Sequence, residues 1–197
     1  MRGSTVSVVV VIPMLVAVVS GCAEHGAAGA ATDSRVPATT SRSTASTPPP
    51  TPRAARIDHV VDGDTVVVRL DGRRRTIRLI GIDTPETVKP DTPVQCFGPE
   101  ASARTKYLLP RGSVVWLTGD ARTGTYDRYG RMLAYLQPAG ARITVNELLL
   151  REGYARLYVY DPSRRFSRHE PFARAERAAV RARRGLWRAC PVEASRG

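Results

Sequence analysis

Residues 56–86 read RIDHVVDGDTVVVRLDGRRRTIRLIGIDTPE, and this stretch decides the fold. Alternating β-branched residues occupy residues 56–61, 65–70 and 75–82 and are typical of strands. Asp71-Gly72 stands between the second and third runs and is typical of a two-residue hairpin turn. The stretch therefore predicts three successive strands, the last two joined as a hairpin.

Five short strands and three helices are predicted in all. Strand patterns also occupy residues 114–118 and 131–136, and helical patterns occupy residues 98–109, 144–152 and 171–184. This content is typical of an α+β protein that is mainly β. It fits a five-stranded Greek-key barrel, the OB-fold, whose open face commonly accepts oligonucleotides.

Acidic side chains stand at the ends of two predicted strands. Asp62 and Asp64 follow the first strand, and Asp83 ends the third. A hard divalent cation prefers oxygen ligands, which Asp64, Asp83 and a nearby backbone carbonyl could supply. Arg78 and Arg131 carry planar, permanently charged donors that suit a phosphate. These residue types together are what a metal-assisted phosphodiesterase needs.

Each of these residues also has a plainer interpretation. The Asp-Gly-Asp sequence is commonly a turn, and Asp83 could cap a short helical turn with Glu86 as its first-turn acid. That alternative leaves Asp64 and Arg78 unexplained. Arg78 and Asp83 are five residues apart, so strict alternation would send them to opposite faces of a strand. Both can face one site only if the chain twists or bulges near Gly81.

The motifs and their order closely resemble those of the staphylococcal nuclease (thermonuclease) family. The resemblance rests on residues 61–65, on residues 78–86 and on Asp127-Arg128-Tyr129-Gly130-Arg131. It continues through Phe97-Gly98-Pro99-Glu100-Ala101-Ser102-Ala103, Leu133-Ala134-Tyr135, Val145-Asn146-Glu147 and Tyr158-Val159-Tyr160. It covers residues 57–187 and neither end of the chain.

The resemblance implies a calcium site. It makes Asp64, Asp83 and the backbone carbonyl of Thr84 the protein ligands of Ca²⁺, with Asp62 as a nearby acid that shapes the site. It also implies catalytic residues and substrate-binding residues. The catalytic residues are Arg78, Glu86 and Arg131, and the substrate-binding residues are Arg128, Tyr129, Tyr158 and Tyr160.

The function implied by the resemblance is calcium-dependent hydrolysis of DNA and RNA phosphodiesters by attack of water, leaving a 3'-phosphate. The general base, Glu86 or solvent, stays open. Two other functions stay open as well: a noncatalytic OB-fold protein that binds nucleic acid, and an envelope adhesion or scaffold lipoprotein with a vestigial site. The partners expected are DNA and RNA, and we expect a monomer.

The N-terminus predicts export. An apolar run at residues 8–19 follows Arg2 and is too short to span a bilayer comfortably, so residues 1–21 are predicted to be a signal peptide. It closes with Val19-Ser20-Gly21-Cys22, which resembles a bacterial lipobox with Cys22 as the lipidated residue. The alternative is an ordinary signal peptide with an incidental cysteine. The predicted location is extracytoplasmic, on the cell membrane through the lipid anchor alone or released to the medium.

Composition separates a tether from one folded domain. Residues 22–55 are mostly Ala, Ser, Thr and Pro, a composition that cannot bury enough apolar surface to offset its ordering entropy. We predict a disordered tether there, a single domain over residues 56–190 and a short tail at residues 191–197.

The chain carries a formal net charge of +12, which favours polyanionic partners. The basic residues are almost all arginine, as compositional bias alone would give, so charge by itself does not establish nucleic-acid binding. The runs at residues 73–75 and 181–184 could strengthen docking of nucleic acid or could simply be solvated. The histidines His25, His59 and His169 do not share zinc-ligand spacing with cysteines.

Cys96 and Cys190 are the thiols that remain once Cys22 is lipidated. An exported protein resides in an oxidising compartment, so we predict that the two form a disulfide with each other. Two separate thiols are the alternative, because sequence gives no Cα separation.

Overall fold

The computed structural model describes residues 50–87 and 93–190. The predicted signal peptide, lipidation site and C-terminal tail lie outside the described residues, as does the tether up to residue 49. In the part of the chain that is described, no helix has the length and apolar character needed to cross a membrane.

The described chain contains seven strands and four helices. The strands are β1 (Arg53–Asp62), β2 (Thr65–Leu70), β3 (Arg73–Leu79), β4 (Ile82–Asp83), β5 (Val114–Thr118), β6 (Met132–Pro138) and β7 (Arg156–Leu157). The helices are α1 (Gly98–Leu108), α2 (Val145–Glu152), α3 (His169–Arg181) and α4 (Leu186–Ala189).

Five of the strands close into a barrel in the order β1-β2-β3-β6-β5. Strands β3 and β6 are parallel, and the other neighbouring strands of the barrel are antiparallel. The remaining two strands, β4 and β7, form a separate two-stranded sheet. The predicted fold class, an α+β and mainly β protein with a five-stranded OB-type barrel, is confirmed.

The barrel interior is filled by alternate residues of its strands. Val66, Val68 and Leu70 of β2 and Ile77 and Leu79 of β3 are buried, as the period-two pattern predicts. Helices α2 and α3 extend the same core, because buried leucines of α2 and Phe172 of α3 join it. The barrel is therefore a rigid support for the residues at its strand ends.

Several predicted strand boundaries were wrong: β3 begins at Arg73 rather than residue 75, and β6 spans Met132–Pro138 rather than residues 131–136. Strand β1 begins at Arg53 rather than residue 56, because Arg53 to Arg56 pair with β5. Strand β3 ends at Leu79 rather than residue 82, because Gly81 adopts φ +77° and turns the chain. Ile82 and Asp83 then form β4, which pairs with β7.

Helix predictions needed smaller corrections. Helix α3 spans His169–Arg181 rather than 171–184, and the short α4 was not predicted. The predicted disulfide is present: Cys96 and Cys190 are bonded, with their Cα atoms 5.8 Å apart. The bond ties Cys190, the residue that follows α4, to the segment that enters α1.

Candidate active site

The turn between β1 and β2 is held from two sides. A Cβ atom on Gly63 would lie 2.6 Å from Thr84 Oγ1, so only glycine lets the turn approach Thr84 this closely. From helix α1, Thr105 Oγ1 donates a hydrogen bond to the Gly63 carbonyl (2.7 Å). These contacts fix the buried carboxyl groups of Asp62 and Asp64 beside the segment that follows β4.

Asp64 and Asp83 converge on one nitrogen of Arg78. The distance from Arg78 Nη2 is 3.1 Å to Asp64 Oδ2 and 2.8 Å to Asp83 Oδ1. Arg78 Nη1 donates to the carbonyls of Leu79 (2.9 Å) and Ile82 (2.7 Å), which fixes the guanidinium plane. The three charged residues that sequence placed in one site are therefore in contact.

The bend at Gly81 is what allows this convergence. Its positive φ breaks the strand between Arg78 and Asp83, and its missing side chain makes room for Phe166, whose ring would lie 2.5 Å from a Cβ at this position. Asn146 of α2 supports the bend, because its Nδ2 donates to the Ile80 carbonyl (2.9 Å). A twist or bulge was predicted near Gly81; the chain instead leaves β3 in a turn at this residue.

The electrostatics of this centre favour a bound cation. Partial burial, followed by repulsion from the Asp64 carboxylate, raises the pKa of Asp83 above its usual value, although Arg78 acts in the opposite direction. A cation bound beside both carboxylates would add a second positive charge to that of Arg78 and would relieve the repulsion. Thr84 Oγ1 is also buried there without a hydrogen-bond partner among the described residues.

The donor set fits a hard cation rather than zinc. Asp64, Asp83 and the backbone of Thr84 offer oxygen only, which suits Ca²⁺ or Mg²⁺. Within residues 50–87 and 93–190, no group of three or more His, Cys, Asp or Glu side chains is arranged to hold a metal. A cation held by these two carboxylates would take its other ligands from backbone carbonyls and water, as Ca²⁺ readily does.

Asp62 holds the segment that carries Glu86. It accepts hydrogen bonds from Thr87 Oγ1 (2.6 Å), Thr87 N (3.3 Å) and Gly63 N (2.8 Å). Burial raises its pKa. The backbone of Glu86 is fixed in turn by Gln95, whose Oε1 accepts from Glu86 N at 2.9 Å. Asp62 and Gln95 therefore position Glu86 at the edge of the site.

Arg131 is oriented by Asp127. Its Nε donates to Asp127 Oδ2 (2.7 Å), and its backbone N donates to Asp127 Oδ1 (2.9 Å). Its Nη1 lies 3.5 Å from Thr65 Oγ1, and that hydroxyl donates to Asp64 Oδ1 (2.9 Å). Burial opposes the ionised form of Asp127, but the hydrogen bonds from Arg131 and Tyr129 outweigh it and lower the pKa.

The predicted substrate-binding residues surround the same centre. They line, with Asp64, Arg78, Asp83, Glu86 and Arg131, a cleft of about 910 Å³. Arg128 lies 4.7 Å above the Tyr129 ring and donates to its hydroxyl (2.6 Å). Tyr158 and Tyr160 expose much of their surface on the cleft wall. Exposed aromatic rings beside arginines are suited to stacking with nucleobases next to bound phosphates.

Comparison with known proteins decides the family. The family described as "Staphylococcal nuclease homologue" matches residues 76–189. The chain belongs to the staphylococcal nuclease family. The predicted enzyme class, a nuclease of the phosphodiester-hydrolase type, is confirmed by this membership.

Three relatives illustrate how far the similarity to this nuclease family extends. The thermonuclease of Staphylococcus hyicus is 41% identical over 132 residues, which is 67% of this chain and 74% of that protein. Endonuclease YncB of Bacillus subtilis is 38% identical over 144 residues, or 72% and 64% of the two chains. The SPbeta prophage-derived endonuclease YokF of the same species is 40% identical over 136 residues, or 66% and 44%. The chain thus matches less than two thirds of each Bacillus protein.

In this nuclease domain a buried acid that the sequence did not indicate, Asp120, joins the loop after β5 to the loop before α3. Asp120 accepts hydrogen bonds from Tyr135 Oη (2.6 Å), Ser167 N (2.7 Å), Ser167 Oγ (3.0 Å) and Arg122 N (2.9 Å). Burial opposes its charge, yet these hydrogen bonds outweigh burial and lower its pKa. Arg122 and Arg164, one on each side of this network, line the cleft and were also not predicted.

Asp120→Asn should lower the free energy of unfolding at pH 7 by about 1–3 kcal/mol, because the amide leaves buried donors unsatisfied. A lowered pKa means that Asp120 stabilises the fold above its unfolded pKa of about 3.9 and loses this effect as the pH falls through the folded pKa. The difference between parent and variant should therefore shrink below about pH 4. Urea unfolding at pH 7 and pH 3.5 measures both; equal stabilities at pH 7 would show that the network contributes nothing.

Proposed function

We propose that the chain is a calcium-dependent nuclease that hydrolyses phosphodiester bonds of DNA and RNA at the cell envelope. The observation that carries the proposal is the convergence of Asp64 and Asp83 on Arg78, with Arg131 in the same cleft. Two carboxylates beside two guanidinium groups can bind a cation and a phosphate side by side. That juxtaposition is what metal-assisted phosphodiester hydrolysis requires.

Asp64, Asp83 and the Thr84 carbonyl would hold calcium. A calcium ion held there would supply positive charge beside the phosphate and orient a water molecule. Arg78 and Arg131 contact the non-bridging oxygens of the phosphate, where negative charge increases as water attacks phosphorus in line. Both guanidinium groups are already oriented by hydrogen bonds, so little reorganisation is needed when that charge develops.

The attacking water forms the new P–O bond as the bond to the leaving sugar oxygen breaks, and the leaving oxygen takes a proton from solvent. Glu86 or bulk water receives the proton lost by the nucleophile. The contacts of Asp62 and Gln95 with residues 86 and 87 support a positioned Glu86. Arg128 and the tyrosines of the cleft hold the flanking nucleotides.

The purified protein, incubated with single-stranded DNA, tests the proposal against a noncatalytic nucleic-acid-binding function. Cleavage and binding are scored in parallel, with saturating calcium and with a chelator. We expect cleavage with calcium that is lost in chelator. Binding without cleavage at saturating calcium would overturn the proposal in favour of a binding protein.

We propose that the envelope location comes from lipidation at Cys22. The support is the small-residue sequence that precedes this cysteine after an apolar run. Cys22→Ala should move the protein from the membrane pellet to the soluble fraction, because the acceptor thiol is lost. An unchanged pellet fraction would contradict lipid anchoring.

A further inference from the structure

Strands β2 and β3 together carry five arginines and no acidic residue. Arg78 belongs to the active site. Arg69 and Arg74, which lie directly opposite each other, form what we call the arginine face. Arg73 and Arg75 pair with buried core residues of β2, so they project from the other side of the hairpin. All four are exposed at the hairpin end of the barrel.

The arginine face continues from the active site along one side of the sheet. Side chains two residues apart on a strand project from the same face, so Arg74, Thr76 and Arg78 share one side of β3. Arg78 lies opposite Thr65 of the active site, and Arg74 lies opposite Arg69. Four residues at about 3.3 Å per residue separate Arg74 from Arg78 by about 13 Å. That distance is the rise of about four nucleotides of a B-form strand.

A buried acid holds this face in place without neutralising it. Asp58 lies 3.3 Å from Arg69 Nε and 3.4 Å from Arg74 Nη2, and it also contacts His59 Nδ1 (2.9 Å). One carboxylate thus orients two guanidinium groups, which leaves an excess of positive charge. The face therefore offers two oriented arginine side chains to an outside anion.

We propose that the arginine face is a second phosphate-binding surface that holds the nucleic-acid strand beyond the cleft. The proposal rests on the proposed nuclease function and assigns a role to residues outside the catalytic machinery. The outer face of strands β2 and β3 is where OB-folds commonly bind oligonucleotides. Arginines that contact phosphates release condensed counterions, so they increase affinity for long strands and make it depend on salt. A substrate too short to reach them gains nothing.

The test compares two double variants of the full chain. One changes Arg69 and Arg74 to Gln; the matched control changes Arg73 and Arg75, two exposed arginines on the other side of the same hairpin, to Gln. Both lose the same charge, so a difference between them reports position rather than net charge. Binding of a 20-nucleotide single strand is measured in chelator over a series of salt concentrations, and kcat/KM is measured for the 20-mer and for a dinucleotide.

We expect the arginine-face variant to bind the 20-mer about tenfold more weakly, with the slope of log affinity against log salt smaller by about 0.7 for each lost phosphate contact. Its kcat/KM for the dinucleotide should match that of the parent, which also shows that the site is folded. Equal losses in both double variants, or no loss in the arginine-face variant, would overturn the proposal. Loss of binding to anionic vesicles without loss of binding to DNA would overturn it in favour of a lipid surface.

Failure of the proposed nuclease function would give a different result from failure of the arginine-face proposal. A parent protein that cleaves neither substrate would refute the nuclease proposal, while binding in chelator would still test the arginine face on its own.

Discussion

Arg131→Ala should lower kcat for phosphodiester cleavage about a hundredfold or more, because a preorganised donor to the developing negative charge is lost. The guanidinium of Arg131 is held by two hydrogen bonds to Asp127 and reaches Thr65 beside Asp64. Its loss leaves the calcium ligands in place, so the calcium concentration that gives half-maximal activity should change little. Single-turnover cleavage of DNA at saturating calcium measures the effect.

Two further variants identify the cause of that loss. Arg131→Lys keeps the charge but not the planar pair of donors, so it should recover only part of the rate. Arg177→Ala removes an exposed arginine of α3 and should leave kcat unchanged. Arg131→Ala cleaving at the parental rate would show that Arg131 has no part in the chemistry.

Replacing both Cys96 and Cys190 with serine should lower the free energy of unfolding by up to about 4 to 5 kcal/mol, the chain-entropy value for a closed loop of this length. The two cysteines are 94 residues apart in sequence. The bridge restricts most of the described domain in its unfolded state. It also fixes the C-terminal end of the domain next to Gln95, which contacts Glu86.

Urea unfolding of the double variant and of the oxidised parent measures this difference, and the reduced parent is the matched control. Reduced parent and double variant should have similar stabilities, both below that of the oxidised parent. Labelling of the unfolded, unreduced protein with a thiol reagent checks the bridge itself. If two cysteines react in addition to Cys22, the bridge does not form.

Local periodicity predicted most of the barrel because each strand has one buried face. Residues 65–70 and 114–118 are strands as predicted, since buried side chains recur at every second position along both. The end of the third strand was wrong, because alternation continues through Ile80 and Ile82 while the backbone turns at Gly81. That turn depends on Phe166 and Asn146, which are distant in sequence. A short-range pattern contains no information about such contacts.

The predicted site residues were found together because they belong to ordered motifs. Asp64, Arg78, Asp83 and Arg131 line one cleft as expected. The residues that orient them were missed. Asp127 lies within a quoted motif but had no assigned role, and Asp120 joins loops nearly fifty residues apart. An isolated aspartate carries no signal of burial in sequence, so only the folded structure reveals these supports.

The calcium dependence of Asp83→Asn tests the central claim most directly. This change keeps the size of the side chain and removes one of the two carboxylates that converge on Arg78. Calcium binding is titrated by calorimetry on the parent and on the variant, and cleavage of single-stranded DNA is followed over the same calcium range. We predict weaker calcium binding and much slower cleavage in the variant, with unchanged thermal stability in chelator. Parental calcium affinity and parental cleavage in Asp83→Asn would contradict the assignment of this cleft as the metal-assisted catalytic centre.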